Sequence, residues 1–220
     1  MLVLHYTGMT SAAAALERLC DPRADVSAHY LIDMHGIVYR LVAEERRAWH
    51  AGVAYWAGER DVNSRSIGIE LANPGHDLGY PDFPAAQMEA LVELAHGILA
   101  RHPIPPQRVL AHSDVAPARK IDPGEKFDWR ALARAGVGWW PVPSTRPPSP
   151  APAPVDLAEV QRALAAFGYA IEPTGIADDQ TATVVTAFQR HFRPARVDGV
   201  ADAETAALAL ETGKFRAAIA

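Results

Sequence analysis

Side chains suited to metal and acid–base chemistry are concentrated in one short stretch of the sequence, residues 109–129. An apolar run leads to His112, and a loop containing proline and glycine then presents Arg119, Lys120 and Asp122 without helical or strand periodicity. Imidazole and carboxylate groups are ligands for a divalent metal, above all zinc. A catalytic zinc takes three protein ligands and leaves its fourth position to water, so a third ligand must come from another part of the chain.

Two further ionisable side chains lie in apolar segments that are typical of β-strands. His5 belongs to the segment 2–7, and Glu70 is the single carboxylate of the segment 66–71. Because an unpaired buried carboxylate is costly, we expect Glu70 to face a cation, a metal site or water. The alternatives are a solvated glutamate on an edge strand and, for His5, a purely structural histidine. The occurrence of four ionisable residues at strand ends and exit loops favours one shared site.

The surrounding pattern predicts the elements that position these residues. Five β-rich segments predict strands, and a tight turn at 33–36 joins the second and third into a hairpin. Helices are predicted after Thr10 or Ser11, along the apolar stripe of 84–102, and around 129–135. The strand segments are 2–7, 27–33, 36–42, 66–71 and 108–111. This alternation predicts an α/β domain over residues 1–140, with a mixed β-sheet flanked by helices.

Composition limits the class of protein. The 220 residues are 49% hydrophobic with a net charge of -5, which does not suggest a nucleic-acid or anionic-membrane partner. No apolar run is long enough for a spanning helix, and the sequence shows no signal peptide, so either export uses another route or Met1 is not the natural start. Cys20 is the single cysteine, which excludes an intrachain disulfide. We expect its thiol to be buried in the core rather than to act as a nucleophile.

A second unit is predicted after a proline-rich linker. Residues 141–154 contain seven of the 18 prolines, which indicates an extended, semi-rigid segment. Within 155–220 a Gly-x-x-Asp-x-x-Thr turn occurs twice, beginning at Gly175 and at Gly199, and an apolar helical pattern follows each. The aspartate of each turn can cap the next helix. We expect a separate three-helix all-α domain, whose small core favours binding over chemistry.

Five motifs occur in order over almost all of residues 1–140. They are Leu4-His5-Tyr6-Thr7, Ser27-Ala28-His29-Tyr30-Leu31-Ile32, Trp49-His50-Ala51-Gly52, Asn63 through Glu70, and His112-Ser113-Asp114 through Lys120-Ile121-Asp122-Pro123-Gly124. Together they resemble the zinc-dependent N-acetylmuramoyl-L-alanine amidases. The pattern Asp178-x-x-Thr181-x-x-Val184-x-x-x-Phe188-Gln189 is similar to the peptidoglycan-binding domain often attached to such enzymes.

The resemblance implies a role for each candidate residue. It implies that His5, His112 and Asp122 hold zinc and that Glu70 and Lys120 serve catalysis. The expected reaction is attack of an activated water on the amide between the muramic acid lactyl group and L-alanine, with Glu70 as base and Lys120 beside the oxyanion. The residues expected to shape the pocket or bind substrate are His29, His50, Asn63 and Arg119.

The sequence departs from parts of the wider family. In some phage and animal relatives the third ligand is a cysteine and a tyrosine assists catalysis, whereas this chain has Asp122 at the first position and Ala28 at the second. The pattern is that of the bacterial branch that uses a glutamate. Relatives also usually have residues ahead of the first strand, so the resemblance leaves the compartment open.

Two other functions remain open at this point. One is a recognition protein that binds muropeptide without cutting it, which the loss of a ligand would mark. The other is a cytosolic amidase that recycles anhydro-muropeptides, against which the C-terminal binding unit argues. The expected partner is peptidoglycan or muropeptide, and the expected state is a monomer. The binding unit favours the cell envelope (periplasm), with the cytoplasm open because no signal peptide is visible. Removing residues 155–220 is expected to leave hydrolysis of a small muropeptide nearly unchanged.

Overall fold

A mixed five-stranded β-sheet forms the centre of the first 140 residues. The computed structural model describes residues 1–141 and 155–217, with side chains through residue 214. The strands are β1 (Leu2–Tyr6), β2 (Tyr30–Ile32), β3 (Val38–Arg40), β4 (Ile67–Leu71) and β5 (Val109–Ala111). Their order in the sheet is β3-β2-β4-β1-β5, in which β2, β4, β1 and β5 run parallel and β3 is antiparallel to β2. The predicted mixed sheet and its hairpin are confirmed.

Strands β1, β2, β4 and β5 are buried because both faces of the sheet are covered there, whereas the edge strand β3 is largely exposed. Leu2 and Leu4 of β1 lie in one core with Leu91, Ala95 and Ile98, whereas Val3 faces a second core on the other side. This double burial explains why the strands are rich in apolar residues instead of alternating with polar ones.

Helices α1 (Ala12–Cys20) and α2 (Ala85–Arg101) pack against the sheet. Ser11 begins α1 by accepting a hydrogen bond from the amide of Ala14. The α2 helix buries the predicted stripe, and the Gln87 carboxamide donates to the carbonyls of Ile32 and Ala72 at 3.0 and 3.1 Å. Two short helices, α3 (His112–Val115) and α4 (Trp129–Arg134), follow β5.

The C-terminal unit contains the three predicted helices, α5 (Leu157–Phe167), α6 (Asp179–Phe192) and α7 (Ala203–Ala217). The repeated turns act as expected, because Asp178 and Asp202 accept hydrogen bonds from the amides of Thr181 and Thr205 at 2.8 and 3.0 Å. Each turn is also held by a buried glutamine from the preceding helix. The Gln161 side chain accepts from the Gly175 amide, and Gln189 accepts from the Gly199 amide.

The C-terminal unit was expected to be separate, and in the structure its helices share a hydrophobic core with the sheet domain. Trp56 lies edge-on against Phe167 and Tyr169, with ring centroids 5.4 and 4.9 Å apart. The amide of Ala57 donates to the Gly168 carbonyl at 2.8 Å. Val3, Leu110 and Val115 join the same core as the helices. The physical reason is that an apolar loop and one face of the sheet need cover, which these helices provide.

The single cysteine also differs from expectation, because Cys20 is exposed at the end of α1 rather than buried. Ala15 is the residue that α1 buries, so the helix turns its last residue toward solvent. Most of the predicted linker, residues 142–154, lies outside the described part of the chain. Among the described helices, none combines the length and the apolar character needed to cross a bilayer.

Candidate active site

The candidate residues meet at the carboxyl end of three adjacent parallel strands. His5 lies on β1 opposite Glu70 of β4, and His112 directly follows β5 on the other side of β1. Loops leaving the carboxyl ends of parallel strands converge, which is where open α/β sheets place their sites. Asp122 comes from the loop after α3, and its backbone carbonyl accepts from the Ser113 amide at 3.0 Å.

Three buried ligand atoms converge at this edge. His5 Nδ1 lies 2.8 Å from His112 Nδ1 and 3.1 Å from Asp122 Oδ2, and the last two atoms are 3.0 Å apart. Ligands about 2.0 to 2.1 Å from a tetrahedral zinc are roughly 3.3 Å from one another. The observed triangle is only slightly smaller, so two imidazoles and one carboxylate fit a zinc ion with an open fourth position.

Backbone contacts orient His112 for this role. Its Nε2 lies 3.1 Å from the Ala51 carbonyl, which fixes that nitrogen as the N–H and leaves the Nδ1 lone pair for a metal. The Arg119 guanidinium donates to the same carbonyl at 2.6 Å and to the Val53 carbonyl at 2.8 Å. The loop that carries Ala51 therefore sets the angle of one ligand and is itself held by Arg119.

A hydrogen-bond chain orients His5 in the same way. The Ser66 hydroxyl donates to the Val62 carbonyl at 2.6 Å and so accepts from His50 Nε2 at 3.2 Å. With its proton on Nε2, His50 has a free Nδ1, which lies 3.0 Å from His5 Nε2. His5 then carries its proton on Nε2 and presents Nδ1 to the metal position. Ser66 thus determines, through the His50 ring, which nitrogen of His5 faces the metal position.

The pKa values of His5 and Asp122 suit metal binding. Burial lowers the pKa of His5 to about 4, so the ring is neutral at neutral pH. Burial would raise the pKa of Asp122, but the charge and hydrogen bond of His112 and the hydrogen bond of His5 outweigh it and hold that pKa below its ordinary value. Neutral imidazole and ionised carboxylate are the forms that coordinate zinc.

Glu70 is the candidate base. Its Oε2 is buried and has no hydrogen-bond partner within the described residues, and burial raises its pKa well above 4.5. The neighbouring charge of Asp122 raises that pKa further, whereas Lys120 lowers it. A carboxyl group whose pKa is raised above its ordinary value holds a proton more readily, which suits a group that must accept and return one.

A cavity of about 460 Å³ contains most of the candidate residues. Its lining includes Glu70, His112 and Asp122 together with Lys120, Arg119, His50 and Trp49. A larger groove of about 970 Å³ lies between α4 and the C-terminal helices, but it contains none of the candidate site residues. The chemistry therefore belongs to the smaller cavity.

His29 and Asn63, which were expected to shape the pocket or bind substrate, lie behind the residues that line the cavity. The His29 ring accepts from the Gly68 amide at 3.0 Å and meets the Arg46 carbonyl. Asn63 accepts through Oδ1 from the amides of His50 and Ala51, and it is 4% exposed. Neither lines the cavity, so their contacts are those of residues that hold the loop and strand in place.

Gly68 provides the space for the His50 ring. A Cβ at this position would lie 2.4 Å from His50 Cγ, closer than any side chain tolerates. Ser66, Gly68 and Glu70 alternate along one face of the chain at β4, where they orient His50, make room for it and supply the base. Sequence reasoning missed Ser66, although its alternation with Glu70 could have indicated it.

A buried cluster next to His112 was not predicted from the sequence. Asp114 accepts hydrogen bonds from the Ala111 amide, from the Tyr169 hydroxyl and from His191. Tyr169 and His191 belong to the C-terminal unit, 55 and 77 residues away in the chain. No local pattern links residues at such separations.

Comparisons with known proteins agree with this geometry. A family model described as N-acetylmuramoyl-L-alanine amidase matches residues 1–125. A second family model, that of a peptidoglycan binding domain, matches residues 154–208.

Similar proteins extend the match over nearly the whole chain. The N-acetylmuramoyl-L-alanine amidase AmiD of Escherichia coli (strain K12) is 40% identical over 228 residues, which cover 95% of this chain and 80% of AmiD. The structure of E. coli AmiD with the substrate anhydro-N-acetylmuramic acid-L-Ala-D-gamma-Glu-L-Lys matches with a TM-score of 0.86 at 38% identity, covering 98% of this chain and 88% of that one. The 1,6-anhydro-N-acetylmuramyl-L-alanine amidase AmpD of Haemophilus influenzae is 42% identical over 105 residues, 47% of this chain and 55% of AmpD. This chain therefore belongs to the N-acetylmuramoyl-L-alanine amidase family.

Proposed function

We propose that this protein is a zinc-dependent hydrolase that cleaves the amide between the lactyl group of N-acetylmuramic acid and L-alanine. The observation that carries the proposal is the convergence of His5 Nδ1, His112 Nδ1 and Asp122 Oδ2 beside the cavity that Glu70, His112 and Asp122 line. Membership of the amidase family supports the choice of bond.

A zinc ion held by His5, His112 and Asp122 would activate a water and polarise the amide carbonyl. Glu70 then takes one proton from this water, and the water oxygen bonds to the carbonyl carbon. The same carboxyl returns the proton to the nitrogen as the C–N bond breaks. The products are a lactyl carboxylic acid on the sugar, which loses its proton to solvent at neutral pH, and a peptide with a free L-alanine amine. The unpartnered Oε2 supports this shuttle, because no competing donor within the described residues occupies it.

Lys120 supplies positive charge where the carbonyl oxygen becomes negative. The ammonium group lines the cavity, and its charge lowers the pKa of both His5 and Glu70. A charge close to ligand and base alike is well placed to stabilise the oxyanion. Arg119 holds the loop beside the cavity through the carbonyls of Ala51 and Val53.

The Glu70→Gln variant tests the reaction. It should bind zinc like the parent and lose about 10² to 10⁴ in turnover of a soluble muropeptide, because general-base assistance is worth about that much. Glu93→Gln makes the same change at an exposed position of α2 and should retain full activity. Mass spectrometry should identify the lactyl sugar and the free peptide as products. A parent enzyme that binds zinc but releases neither would favour a recognition protein, and a Glu70→Gln variant with normal turnover would contradict the role of this carboxyl.

The C-terminal helices are proposed to hold the enzyme on peptidoglycan. The match to a peptidoglycan binding domain supports this proposal, and a polymeric substrate would favour the cell envelope as the site of action. A monomeric enzyme is part of this proposal, and size-exclusion chromatography of the full chain tests it.

Competition on sacculi tests for this second contact. The Glu70→Gln protein should stay on sacculi when a soluble muropeptide saturates the cavity, because a second contact on the same polymer persists. Complete release by the soluble ligand would show that the cavity alone binds.

Recycling of anhydro-muropeptides is the second candidate function. It is favoured by the similarity to AmiD, whose structure holds an anhydro-muropeptide, and to AmpD. Comparing kcat/KM for a soluble anhydro-muropeptide with the rate of digestion of intact sacculi distinguishes recycling from cell-wall cleavage. A protein that leaves sacculi intact at concentrations that clear the soluble substrate would be a recycling enzyme.

A further inference from the structure

The C-terminal helices reach the metal site through one buried carboxylate. Asp114 is two residues after His112, and its side chain is 0% exposed. Its Oδ1 accepts from the Tyr169 hydroxyl at 2.5 Å, and its Oδ2 accepts from His191 Nδ1 at 2.7 Å. A buried carboxylate needs partners for its lone pairs, and two of the three side-chain or backbone donors found here come from the C-terminal unit.

The third donor connects Asp114 to the ligand. Asp114 Oδ2 accepts from the Ala111 amide at 2.8 Å, across the junction of β5 and α3. Ala111 immediately precedes His112, so this bond fixes the backbone from which the imidazole projects. Without the hydrogen bonds from Tyr169 and His191, the Asp114 carboxylate would be free to rotate. Its bond to the Ala111 amide, and with it the backbone before His112, would then be less firmly held.

The two partners of Asp114 are themselves held rigidly. The His191 ring stacks on Trp129 of α4 with centroids 3.8 Å apart and an interplanar angle of 22°. The Tyr169 ring lies edge-on to Trp56 and is 2% exposed. Neither side chain has room to adopt another rotamer without opening the core.

A second connection reaches His112 from its other side. The Val115 carbonyl accepts from the Tyr55 amide at 2.8 Å, and two residues further on Ala57 donates to Gly168. The same loop begins with Ala51, whose carbonyl orients His112 Nε2. The C-terminal unit thus contacts both Asp114 and the loop 51–57, the two elements that orient His112.

We propose that Tyr169 and His191 are positioning residues of the metal centre, which hold Asp114 and through it the backbone that aims His112. The inference rests on the proposed zinc site, and it makes the C-terminal helices part of that site's scaffold as well as a binding unit. No residue of these helices needs to touch substrate or metal for this role.

The test measures zinc affinity of the full chain by competition with a chromophoric chelator. Tyr169→Phe keeps the ring and removes the hydroxyl, and it should weaken zinc binding by about 3- to 10-fold, since partners beyond the ligands are worth up to 10- to 100-fold. The kcat on a soluble muropeptide should fall while KM stays close to the parent value, because neither residue lines the cavity.

Tyr30→Phe is the matched control. The Tyr30 hydroxyl also donates to a carboxylate at 2.5 Å, that of Glu44, but this pair lies away from the ligands. The control should lose stability as Tyr169→Phe does and keep parental zinc affinity. Parental zinc affinity in both variants would overturn the inference, and so would equal weakening of zinc binding in both.

Substitution of His191 gives an independent check if Tyr169→Phe folds poorly. His191→Leu removes the donor to Asp114, whereas His191→Asn offers a carboxamide N–H near the position of Nδ1. We expect weaker zinc binding in the first variant and partial rescue in the second. Identical affinities in both would contradict the role of the hydrogen bond. A parent protein that binds no zinc would refute the proposed function itself, which distinguishes that failure from this one.

Discussion

Replacement of Trp56 by alanine tests whether the two parts of the molecule unfold as one. Trp56 is 1% exposed and lies in the loop of the sheet domain that the C-terminal helices cover. Its ring meets Phe167 and Tyr169 edge-on, and a Cβ on Gly168 would lie 2.5 Å from it, so the fit is close.

The expected cost follows from this burial. Truncating a fully buried tryptophan lowers the free energy of unfolding by about 3–5 kcal/mol. In a protein of this size each kcal/mol shifts Tm by about 2–4 °C, which gives a fall of roughly 6–20 °C. Trp49→Ala is the control, because Trp49 is 55% exposed and its loss should shift Tm by only a few degrees.

Differential scanning calorimetry measures the outcome. We expect one cooperative transition in the parent and in Trp56→Ala, displaced to lower temperature in the variant. Two separate transitions, with the one from the sheet domain unchanged by Trp56→Ala, would refute the shared core. The same reasoning reverses the sequence-based expectation for truncation, since a chain lacking residues 155–220 would expose this core and deprive Asp114 of two hydrogen-bond donors.

Three further outcomes follow from the site and its surroundings. Lys120→Met should lower kcat on a soluble muropeptide more than it raises KM, because charge on the carbonyl oxygen develops only in the transition state; equal kinetics would make Lys120 a solvated loop charge. Ser66→Ala should weaken zinc binding by up to about tenfold in a chelator competition, because His50 loses the acceptor that fixes its tautomer; parental affinity would contradict the hydrogen-bond chain. The hydrogen bonds from Arg101 hold the pKa of Glu44 at about 2 against an ordinary 4.5, so Glu44 stabilises the fold above pH 4.5 and this contribution is lost as the pH falls toward 2. We expect the free energy of unfolding to fall by about 2 kcal/mol over this pH range, given that Arg101 is half exposed. Urea unfolding of Glu44→Gln at a series of pH values should show no such decrease.

Local pattern was sufficient for most of the fold. The apolar stripe of α2, the hairpin of β2 and β3, and the aspartate caps of α6 and α7 each depend on neighbours within a few residues, and each occurs as predicted. Ligand chemistry together with the ordered motifs was sufficient to select His5, His112 and Asp122, which the structure brings together.

The interactions that sequence reasoning missed are those between distant segments. Asp114, Tyr169 and His191 look ordinary in their own surroundings, and only the docking of α6 on α3 brings them together. Cys20 was predicted to be buried from its alanine- and leucine-rich neighbours, but exposure on a helix depends on which side faces the sheet. Burial at such positions follows from tertiary packing rather than from local composition.

The alternation of Ser66, Gly68 and Glu70 along one face has a consequence for directed evolution of this enzyme. Deleting or inserting one residue at the start of β4 would shift the strand by one position and turn each side chain to the opposite face. Ile67 and Ile69 would then take the place of the functional residues. One length change would then remove the hydroxyl, the space for the imidazole and the proton acceptor together. Libraries that vary the length of this strand should yield active or inert clones with few of intermediate rate, whereas conservative apolar substitutions at positions 67, 69 and 71 should give graded activity.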